Sequence, residues 1–253
     1  MNEKHGYPER IIPDETTSGI IAIHLKRYDF ARSFAQGKRV LDVACGVGYG
    51  SRYLAETAAS VTGVDLDLGA ISYAKTRYAD LANITFVEGD ALNLPFDNGH
   101  FDVICSFETI EHVPDAARFL NEVQRLLVPN GIFIISTPAT QHSTLKPKNP
   151  HHVQEWSPRD FDALLRTHFP HVQLYSQIRR STLIATLIKQ LDVFKLRAHL
   201  PISLTRQIAA NVGVRTMGDV NLEDIEINSG IIHSASEIVA VCFMEDDLGN
   251  SKR

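Results

Sequence analysis

The sequence has few cysteines and no long apolar run, and both shortages limit what kind of protein it can be. The three cysteines, Cys45, Cys105 and Cys242, are odd in number and scattered, which predicts reduced thiols instead of a disulfide framework. No apolar run reaches the roughly 20 residues that a membrane-spanning helix needs. Residues 1–7 lack the apolar core of a signal peptide. We therefore expect a cytoplasmic protein without a membrane partner.

Positive charge is also scarce. The chain has 25 lysines and arginines against 30 aspartates and glutamates, which gives a formal net charge of −5. A general nucleic-acid binder needs excess cationic surface, so we do not expect a nucleic-acid partner. The length of 253 residues is enough for one large hydrophobic core, or for a core with a small lid.

One stretch near the N-terminus organises the rest of the chain. Residues 40–43 form an apolar run with Asp42 inside it, which is the pattern of a buried parallel strand. Gly46 and Gly48 follow, and a helical pattern begins at Tyr49. A strand, a glycine turn and a helix in this order predict the first half of a mononucleotide-binding βαβ unit. In such a unit a glycine lets a ligand approach the backbone where a Cβ atom would collide with it.

Acidic residues recur on successive predicted strands. Asp42 lies in the first strand, Asp65 ends a second strand at 60–65, and Asp90 follows a third at 84–88. A single aspartate at such a place is more often a helix cap or a turn residue. Three in succession favour one shared crevice, in which Asp65 can accept hydrogen bonds from a ribose diol.

These motifs together resemble the class I S-adenosylmethionine-dependent methyltransferases. The resemblance covers about residues 20–177, and its matching stretches are 41–48, 63–65, 89–91 and 130–131. It implies that the turn from Gly46 to Gly48 cradles the methionine part of the cofactor. It also implies that Asp65 holds the ribose hydroxyls and Asp90 the adenine amino group. The cofactor-binding residues predicted on this basis are Tyr28, Asp42, Ala44, Gly46, Gly48, Asp65, Leu66, Asp90, Ala91 and Phe107.

Two further points bear on the cofactor. A dinucleotide fits the turn less well, because Ser51 stands where the phosphate fingerprint has its third glycine. The resemblance implies that a helix before the first strand covers the cofactor, so Arg27 or Tyr28 can reach the amino-acid end of the ligand. A surface arginine and a packed tyrosine explain the same pattern equally well.

The alternation of strands and helices predicts an α/β fold, a Rossmann-like seven-stranded sheet with right-handed crossovers and helices on both faces. The resemblance implies that the last strand is antiparallel. The predicted strands are 40–43, 60–65, 84–88, 101–106, 132–136, 172–175 and 237–243. The predicted helices are 19–36, 49–55, 69–80, 115–127 and 157–168, and residues 129–131 are expected to close the fourth. The chain then divides into an N-terminal arm with a cap helix (1–36), a cofactor-binding core (37–177), a helical insertion (178–232) and a last strand with a tail (233–253).

The insertion is basic in an otherwise acidic chain. Residues 178–217 contain seven basic residues and one acid, a net charge of +6, and residues 182–196 have apolar side chains at helical spacing. A solvated helical face is the simpler explanation. The alternative is a substrate lid whose cations, Arg179 and Arg180 among them, receive an anionic acceptor such as a nucleotide-linked sugar.

The fourth predicted strand runs into a Glu-x-x-Glu-His motif. If the chain turns helically here, Glu108, Glu111 and His112 share one face through their i, i+3 and i+4 spacing. Two carboxylates and an imidazole can hold Mg²⁺ or Mn²⁺. Without a metal, His112 can act as the general base that removes a proton from a hydroxyl group.

The same motif resembles two groups of metal-using O-methyltransferases, those of ubiquinone biosynthesis and those that modify the 2′-hydroxyl of small RNAs. The second group has a further histidine before a Glu-Trp pair, and His152 stands at that spacing from Trp156. The resemblance therefore implies a metal set for Mg²⁺ or Mn²⁺ formed by Glu108, Glu111, His112 and His152. The motif is also frequent in methyltransferases that use no metal, so both alternatives stay open.

These observations predict an S-adenosylmethionine-dependent O-methyltransferase for a small hydroxylated acceptor, with Glu108, Glu111 and His112 as catalytic residues. Residues 9–13, 24–28 and 149–152 resemble bacterial methyltransferases of surface-glycan synthesis, which makes a sugar or nucleotide-linked sugar the first acceptor. A quinone or other secondary metabolite comes second, and an RNA terminus third. A protein that binds the cofactor without catalysis is the alternative of another class, against which the intact motif argues. A homodimer is left open.

Overall fold

The computed structural model describes residues 11–180, 218, 220–232 and 234–245, and the structural statements below concern these residues. The predicted amphipathic helix at 182–196 and the first ten residues of the N-terminal arm lie outside them. Among the described helices, none is both long and apolar enough to cross a lipid bilayer.

Eight strands form one sheet in the order β3-β2-β1-β4-β5-β8-β6-β7. The first five strands are parallel, and β8 inserts between β5 and β6, antiparallel to both. This confirms the predicted Rossmann-like sheet and its antiparallel last strand. The strands are β1 (Arg39–Val43), β2 (Ser60–Asp65), β3 (Ile84–Glu88), β4 (Phe101–Phe107), β5 (Leu127–Pro138), β6 (His171–Arg179), β7 (Ile225–Ser229) and β8 (Glu237–Phe243).

The predicted number of seven strands is wrong, because β7 was not foreseen. It lies inside the stretch assigned to the helical insertion and pairs antiparallel with β6, with Ser229 opposite Tyr175 and Ile225 opposite Arg179. Only five residues long, β7 has a buried Ile225 and partly exposed neighbours. A short edge strand of this kind is stabilised by its partner strand and by what packs on one face, so its own sequence carries a weak signal.

Helices cover both faces of the sheet. Successive residues of β4 point in opposite directions, so Val103 packs in a cluster with Tyr28 and Leu54, whereas Ile104 packs with Phe119 and Phe161. The first cluster places α1 and α2 on one face, and the second places α4 and α5 on the other. The helices are α1 (Ser18–Ala35), α2 (Tyr49–Leu54), α3 (Leu68–Arg77), α4 (Ala116–Leu126) and α5 (Pro158–Arg166).

Two helix starts are as predicted, and one helix end is not. The Asp115 side chain accepts a hydrogen bond from the Arg118 amide, and Ser157 accepts one from the Asp160 amide, so both cap their helices. Residues 129–131 do not close α4, which ends at Leu126, but lie inside β5. The β4–β5 register shifts at this place, which accommodates a proline and a glycine within a strand.

Candidate functional site

A cleft of about 830 Å³ opens at the carboxyl ends of β1 to β4. This is the edge at which open α/β sheets bind ligands. Of the ten predicted cofactor-binding residues, eight line the cleft: Tyr28, Ala44, Gly46, Asp65, Leu66, Asp90, Ala91 and Phe107. The other two, Asp42 and Gly48, do not line it. The cofactor-binding roles of all ten stay predictions.

The two glycines of the turn after β1 have different neighbours. Gly46 has a φ of +56°, and a Cβ atom added to it would meet nothing within 4 Å. At Gly48, with a φ of +79°, an added Cβ atom would lie 2.6 Å from the ring of Phe86. Gly46 therefore leaves room on the cleft side, whereas Gly48 is required by the packing of Phe86 and by its own left-handed backbone.

Asp65 ties the turn to the end of β2. One carboxylate oxygen accepts the Gly46 amide at 2.8 Å, and the other accepts the Asp67 amide at 2.9 Å. Each carboxylate oxygen has a further lone pair, so Asp65 can still accept hydrogen bonds from a diol in the cleft. Leu66, which is 71% exposed, stands beside it at the rim.

Asp42 lies beneath the cleft and is fully buried. Its two oxygens accept hydrogen bonds from Ser51 Oγ at 2.6 Å and from the Tyr28 hydroxyl at 3.2 Å. Burial raises the pKa of Asp42 to about 7, although both hydrogen bonds act in the opposite direction. Asp42 thus supports Tyr28, which does line the cleft.

Arg27 is one of the largest fully buried side chains of the described structure, at 1% exposure. Its Nη2 donates to His24 Nδ1 at 2.8 Å, and Nη1 lies 3.8 Å from Glu237 Oε2. Within the described residues Nε and Nη1 form no hydrogen bond. Burial, with the nearby Arg27 charge, lowers the pKa of His24 to about 2, so this cleft-lining imidazole is neutral. The sequence does place Arg27 one helical turn after His24, but this spacing does not indicate that the arginine is buried.

The Glu-x-x-Glu-His motif does not form the expected helical face. Glu108 has a φ of +52°, which lies in the left-handed region, and only Ile110–His112 forms a short 3₁₀ helix. The Glu108 carboxylate accepts a hydrogen bond from Ser136 Oγ at 2.7 Å. The helical i, i+3, i+4 arrangement is not formed, because the backbone of Glu108 is left-handed and the helical turn begins only at Ile110.

Glu111 is fully buried at the inner end of the cleft. Its Oε2 accepts a hydrogen bond from Thr137 Oγ1 at 3.2 Å, and its Oε1 has no hydrogen-bond partner among the described residues. Burial, and secondly the nearby Glu108, raises the pKa of Glu111 well above its ordinary value. Glu111 therefore favours its neutral, protonated form.

Two imidazoles complete this end of the cleft. The rings of His112 and His152 meet edge to face, with their centroids 4.9 Å apart. His112 Nδ1 lies 2.9 Å from the His151 carbonyl oxygen. His152 Nδ1 lies 2.7 Å from Glu155 Oε1, and its Nε2 lies 2.9 Å from the Asn149 amide nitrogen.

The structure brings three of the four predicted metal ligands together. Ligand atoms of Glu111, His112 and His152 all lie within 4.8 Å of one another, and Glu108 is outside that group. Glu108 is bonded to Ser136, and both ring nitrogens of His152 are hydrogen-bonded. The four-ligand set is thus not assembled, and metal binding stays a prediction.

The basic residues at the start of the predicted lid lie elsewhere. Arg179 is the last residue of β6 and Arg180 follows it, and neither lines the cleft. Arg180 forms an ion pair with Glu226 on β7. The rest of the predicted lid, at 181–217, is outside the described residues, so its role stays a prediction.

Comparison with known proteins places residues 41–135 in a family described as a methyltransferase domain. A "probable S-adenosylmethionine-dependent methyltransferase" of Mycolicibacterium smegmatis is 34% identical over 134 residues, which are 52% of this chain and 51% of that protein. A fatty-acid O-methyltransferase of the same species is 40% identical over 115 residues, 45% of this chain and 42% of the relative. A phthiotriol/phenolphthiotriol dimycocerosates methyltransferase of Mycobacterium tuberculosis is 44% identical over 115 residues, 45% of this chain and 40% of the relative. The chain spans about half, or less, of the length of these curated relatives.

Solved structures share the fold at low sequence identity. The YcgJ protein of Bacillus subtilis is 18% identical with a TM-score of 0.58, covering 88% of this chain and 99% of that one. The [4+2]-cyclase SpnF is 19% identical with a TM-score of 0.59, covering 94% and 86%. A Burkholderia thailandensis N1-methyltransferase with bound S-adenosylhomocysteine is 17% identical with a TM-score of 0.56, covering 89% and 79%. Residues 41–135 thus match a methyltransferase domain, and the sheet order agrees with the fold of these solved structures.

Proposed function

We propose that this protein is an S-adenosylmethionine-dependent methyltransferase that O-methylates a small hydroxylated acceptor. The observation that carries the proposal is that one cleft holds eight predicted cofactor residues together with Glu111, His112 and His152. Cofactor groups and proton-accepting groups therefore share one cavity. A cleft of this size in which a small number of polar side chains converge is typical of a small-molecule binding site.

The cofactor fits polar atoms that can form further hydrogen bonds beyond those the described residues supply. The ribose hydroxyls can donate to the free lone pairs of Asp65. Arg27 has two buried nitrogens without a hydrogen bond, and its neighbours His24 and Tyr28 line the cleft. A carboxylate at the amino-acid end of the cofactor would supply the missing acceptor, and a buried guanidinium binds a carboxylate strongly because both are charged.

The reaction needs an aligned acceptor and a proton acceptor. When bound, S-adenosylmethionine supplies a methyl group on a sulfonium sulfur. The cleft walls hold the acceptor oxygen in line with this group and exclude water, so positioning is a large part of the rate. The imidazoles of His112 and His152 stand at the acceptor end, where either can take the hydroxyl proton.

The imidazole pair also bears on the acceptor atom. A carboxylate acceptor is already ionised near pH 7 and needs no base, whereas a hydroxyl does. We therefore place a hydroxyl-bearing sugar or nucleotide-linked sugar first, as the glycan-type stretches suggest. A quinol or a hydroxylated lipid comes second, since one relative is a fatty-acid O-methyltransferase.

Calorimetric titration with S-adenosylmethionine and S-adenosylhomocysteine tests the cofactor assignment. We expect both to bind, and we expect Asp65→Asn to weaken binding about tenfold or more through loss of charged hydrogen bonds. Asp102→Asn is the matched control, because Asp102 pairs with Arg39 at the opposite end of β4 and does not line the cleft. A folded protein that binds neither compound would contradict the proposal.

A methyl-labelled cofactor with a panel of sugar nucleotides, quinols and hydroxy fatty acids then tests the transfer. Transfer to a hydroxyl of any of them supports an O-methyltransferase. Tight cofactor binding with no transfer across the panel favours a non-catalytic or different activity on the same fold, as the cyclase neighbour illustrates.

A further inference from the structure

Glu155 makes a contact that no motif predicted. Its Oε1 lies 2.7 Å from Nδ1 of His152, and the two side chains are only 17% and 9% exposed. Glu155 sits at the base of a hairpin, where its backbone exchanges two hydrogen bonds with Thr144 at 2.9 and 3.0 Å. The Val153 amide donates to the Glu111 carbonyl at 2.7 Å and pins this hairpin to the 3₁₀ helix. The backbone that carries the Glu155 side chain is thus tied to Thr144 and, through Val153, to the 3₁₀ helix.

The hydrogen bonds define which nitrogen of each ring carries the proton. An ionised carboxylate and a carbonyl oxygen can only accept, so Nδ1 donates in both His152 and His112. In each neutral ring Nε2 is then the basic atom, and the Asn149 amide donates to Nε2 of His152 at 2.9 Å. The Nδ1 partners of the two rings differ: that of His152 is a carboxylate, and that of His112 is a backbone carbonyl.

This difference separates the roles of the two histidines. Proton uptake makes an imidazolium, and a carboxylate on the opposite nitrogen stabilises that positive charge and holds the ring orientation. The charged and titratable groups that face His152 are Glu155 on the hairpin and Glu111 and His112 on the 3₁₀ helix. Among these described charged and titratable groups, Glu155 is the one with a hydrogen bond to the His152 ring.

The arrangement also disagrees with the metal site that the motif suggests. Glu108 is bonded to Ser136, and His152 has both nitrogens bonded within the hairpin. Glu108 therefore stands outside the close group, and an ion held by Glu111, His112 and His152 would have to displace the Asn149 amide from His152. The residues that resemble a metal set are therefore arranged as a carboxylate–imidazole pair beside a second imidazole.

We propose that His152 accepts the proton of the acceptor hydroxyl and that Glu155 is the residue that positions His152. This proposal rests on the proposed function above. The step needs no metal ion. The acceptor hydroxyl takes the place of the Asn149 amide at Nε2. Its oxygen forms a bond to the methyl carbon as the carbon–sulfur bond breaks, and that electron pair goes to sulfur. The hydroxyl proton passes to Nε2 and then to water, so the products are a methyl ether, a neutral thioether and a released proton.

Nitrogen-15 NMR of the histidine rings tests the pair without an acceptor. In the full-length protein we expect His152 as the Nδ1–H form, and Glu155→Gln to shift its ring signals while Glu226→Gln does not. Glu226 is a suitable control because it pairs with Arg180 away from the cleft. Added Mn²⁺ is expected to leave the His112 and His152 signals sharp. Selective broadening of both signals by Mn²⁺, or a His152 ring in the Nε2–H form, would overturn the proposal.

Turnover with an acceptor from the panel tests the role of the pair. We expect His152→Asn and Glu155→Gln to lower kcat about 100-fold. The affinity for S-adenosylhomocysteine should stay within about twofold in both variants. The acceptor KM should stay within about twofold in Glu155→Gln, and Glu155→Asp should recover part of kcat. Activity should persist in excess chelator. Loss of turnover in chelator, or a Glu155→Gln effect confined to KM, would refute the assignment. Absence of cofactor binding would refute the proposed function instead, and the NMR result would still report on the pair.

Discussion

The hydroxyl of Tyr28 donates to Asp42 Oδ1 at 3.2 Å, so a residue that lines the cleft rests on a carboxylate that does not. Ser51 donates to the second oxygen at 2.6 Å. Through these two bonds Asp42 joins β1 to α1 and α2, which lie on the same face of the sheet. Asp42 therefore holds Tyr28, and with it this wall of the cleft, through a hydrogen bond from beneath the cleft.

The buried Asp42 predicts a pH-dependent stability. Its folded-state pKa is raised from 3.8 to about 7, so the native protein retains a proton that the unfolded chain has lost. Its contribution is complete below 3.8 and is lost as the pH rises to about 7. Relative to Asp42→Asn, the wild-type free energy of unfolding should fall across this range by on the order of 4 kcal/mol. Urea unfolding of both proteins measures this, and because Glu111 and Glu237 are common to both, a constant difference would contradict the account.

The close approach of Tyr28 to the α2 backbone predicts a severe effect of Gly50→Ala. The new Cβ atom would lie 1.9 Å from the Tyr28 ring, which is held by Asp42 and by an edge contact to Phe107. We expect a loss of about 3 kcal/mol in unfolding free energy. Gly37→Ala is the control: its Cβ would meet nothing within 4 Å, and its φ of +68° alone should cost about 1 kcal/mol. Equal effects of the two variants would be inconsistent with the clash.

The Nε and Nη1 atoms of Arg27, which form no hydrogen bond among the described residues, predict a selective loss of affinity when Arg27 is replaced. Lysine cannot present two parallel donors to a carboxylate, so Arg27→Lys should weaken S-adenosylhomocysteine binding by about 10- to 100-fold. Binding of 5′-methylthioadenosine, which has no carboxylate, should change little. Calorimetry with the two ligands separates a carboxylate contact from general damage to the cleft. Equal losses for both ligands would point to damage.

Helix capping predicts a local effect on stability. Asp115→Ala removes the acceptor for the Arg118 amide and should cost about 0.5–2 kcal/mol of unfolding free energy. Asp80→Ala makes the same chemical change at an exposed residue outside the helices. It should change stability by less than about 0.5 kcal/mol. Thermal or urea unfolding of the two variants gives the comparison, and a harmless Asp115→Ala would rule out the cap as a significant contribution.

Local chemistry made much of this molecule predictable. Asp115 and Ser157 cap their helices through bonds to residues three positions away, so the sequence contained both partners. Buried parallel strands such as β1 can be recognised as mainly apolar runs. In a parallel sheet, the carboxyl ends of such strands lie at the same edge. For that reason the strand ends after Val43 and Asp65 were correctly expected in one cleft.

Long-range contacts explain what the sequence did not reveal. The need for glycine at position 48 comes from Phe86, two strands away, and the burial of Arg27 depends on Glu237 near the other end of the chain. The left-handed backbone of Glu108 is accompanied by hydrogen bonds to Ser136 on the neighbouring strand β5. None of these partners has a fixed sequence separation, so no spacing rule could have indicated them.

Helix α1 packs against segments of the chain that are synthesised much later than the helix itself. Ser18 Oγ donates to the Gly218 carbonyl, 200 residues away, and Ala22 packs against Val220 and Ile225. Most of the domain must therefore leave the ribosome before α1 can make these packing contacts. Until then a nascent chain also lacks β7 and β8, so the sheet and the wall of the cleft are both completed late in synthesis.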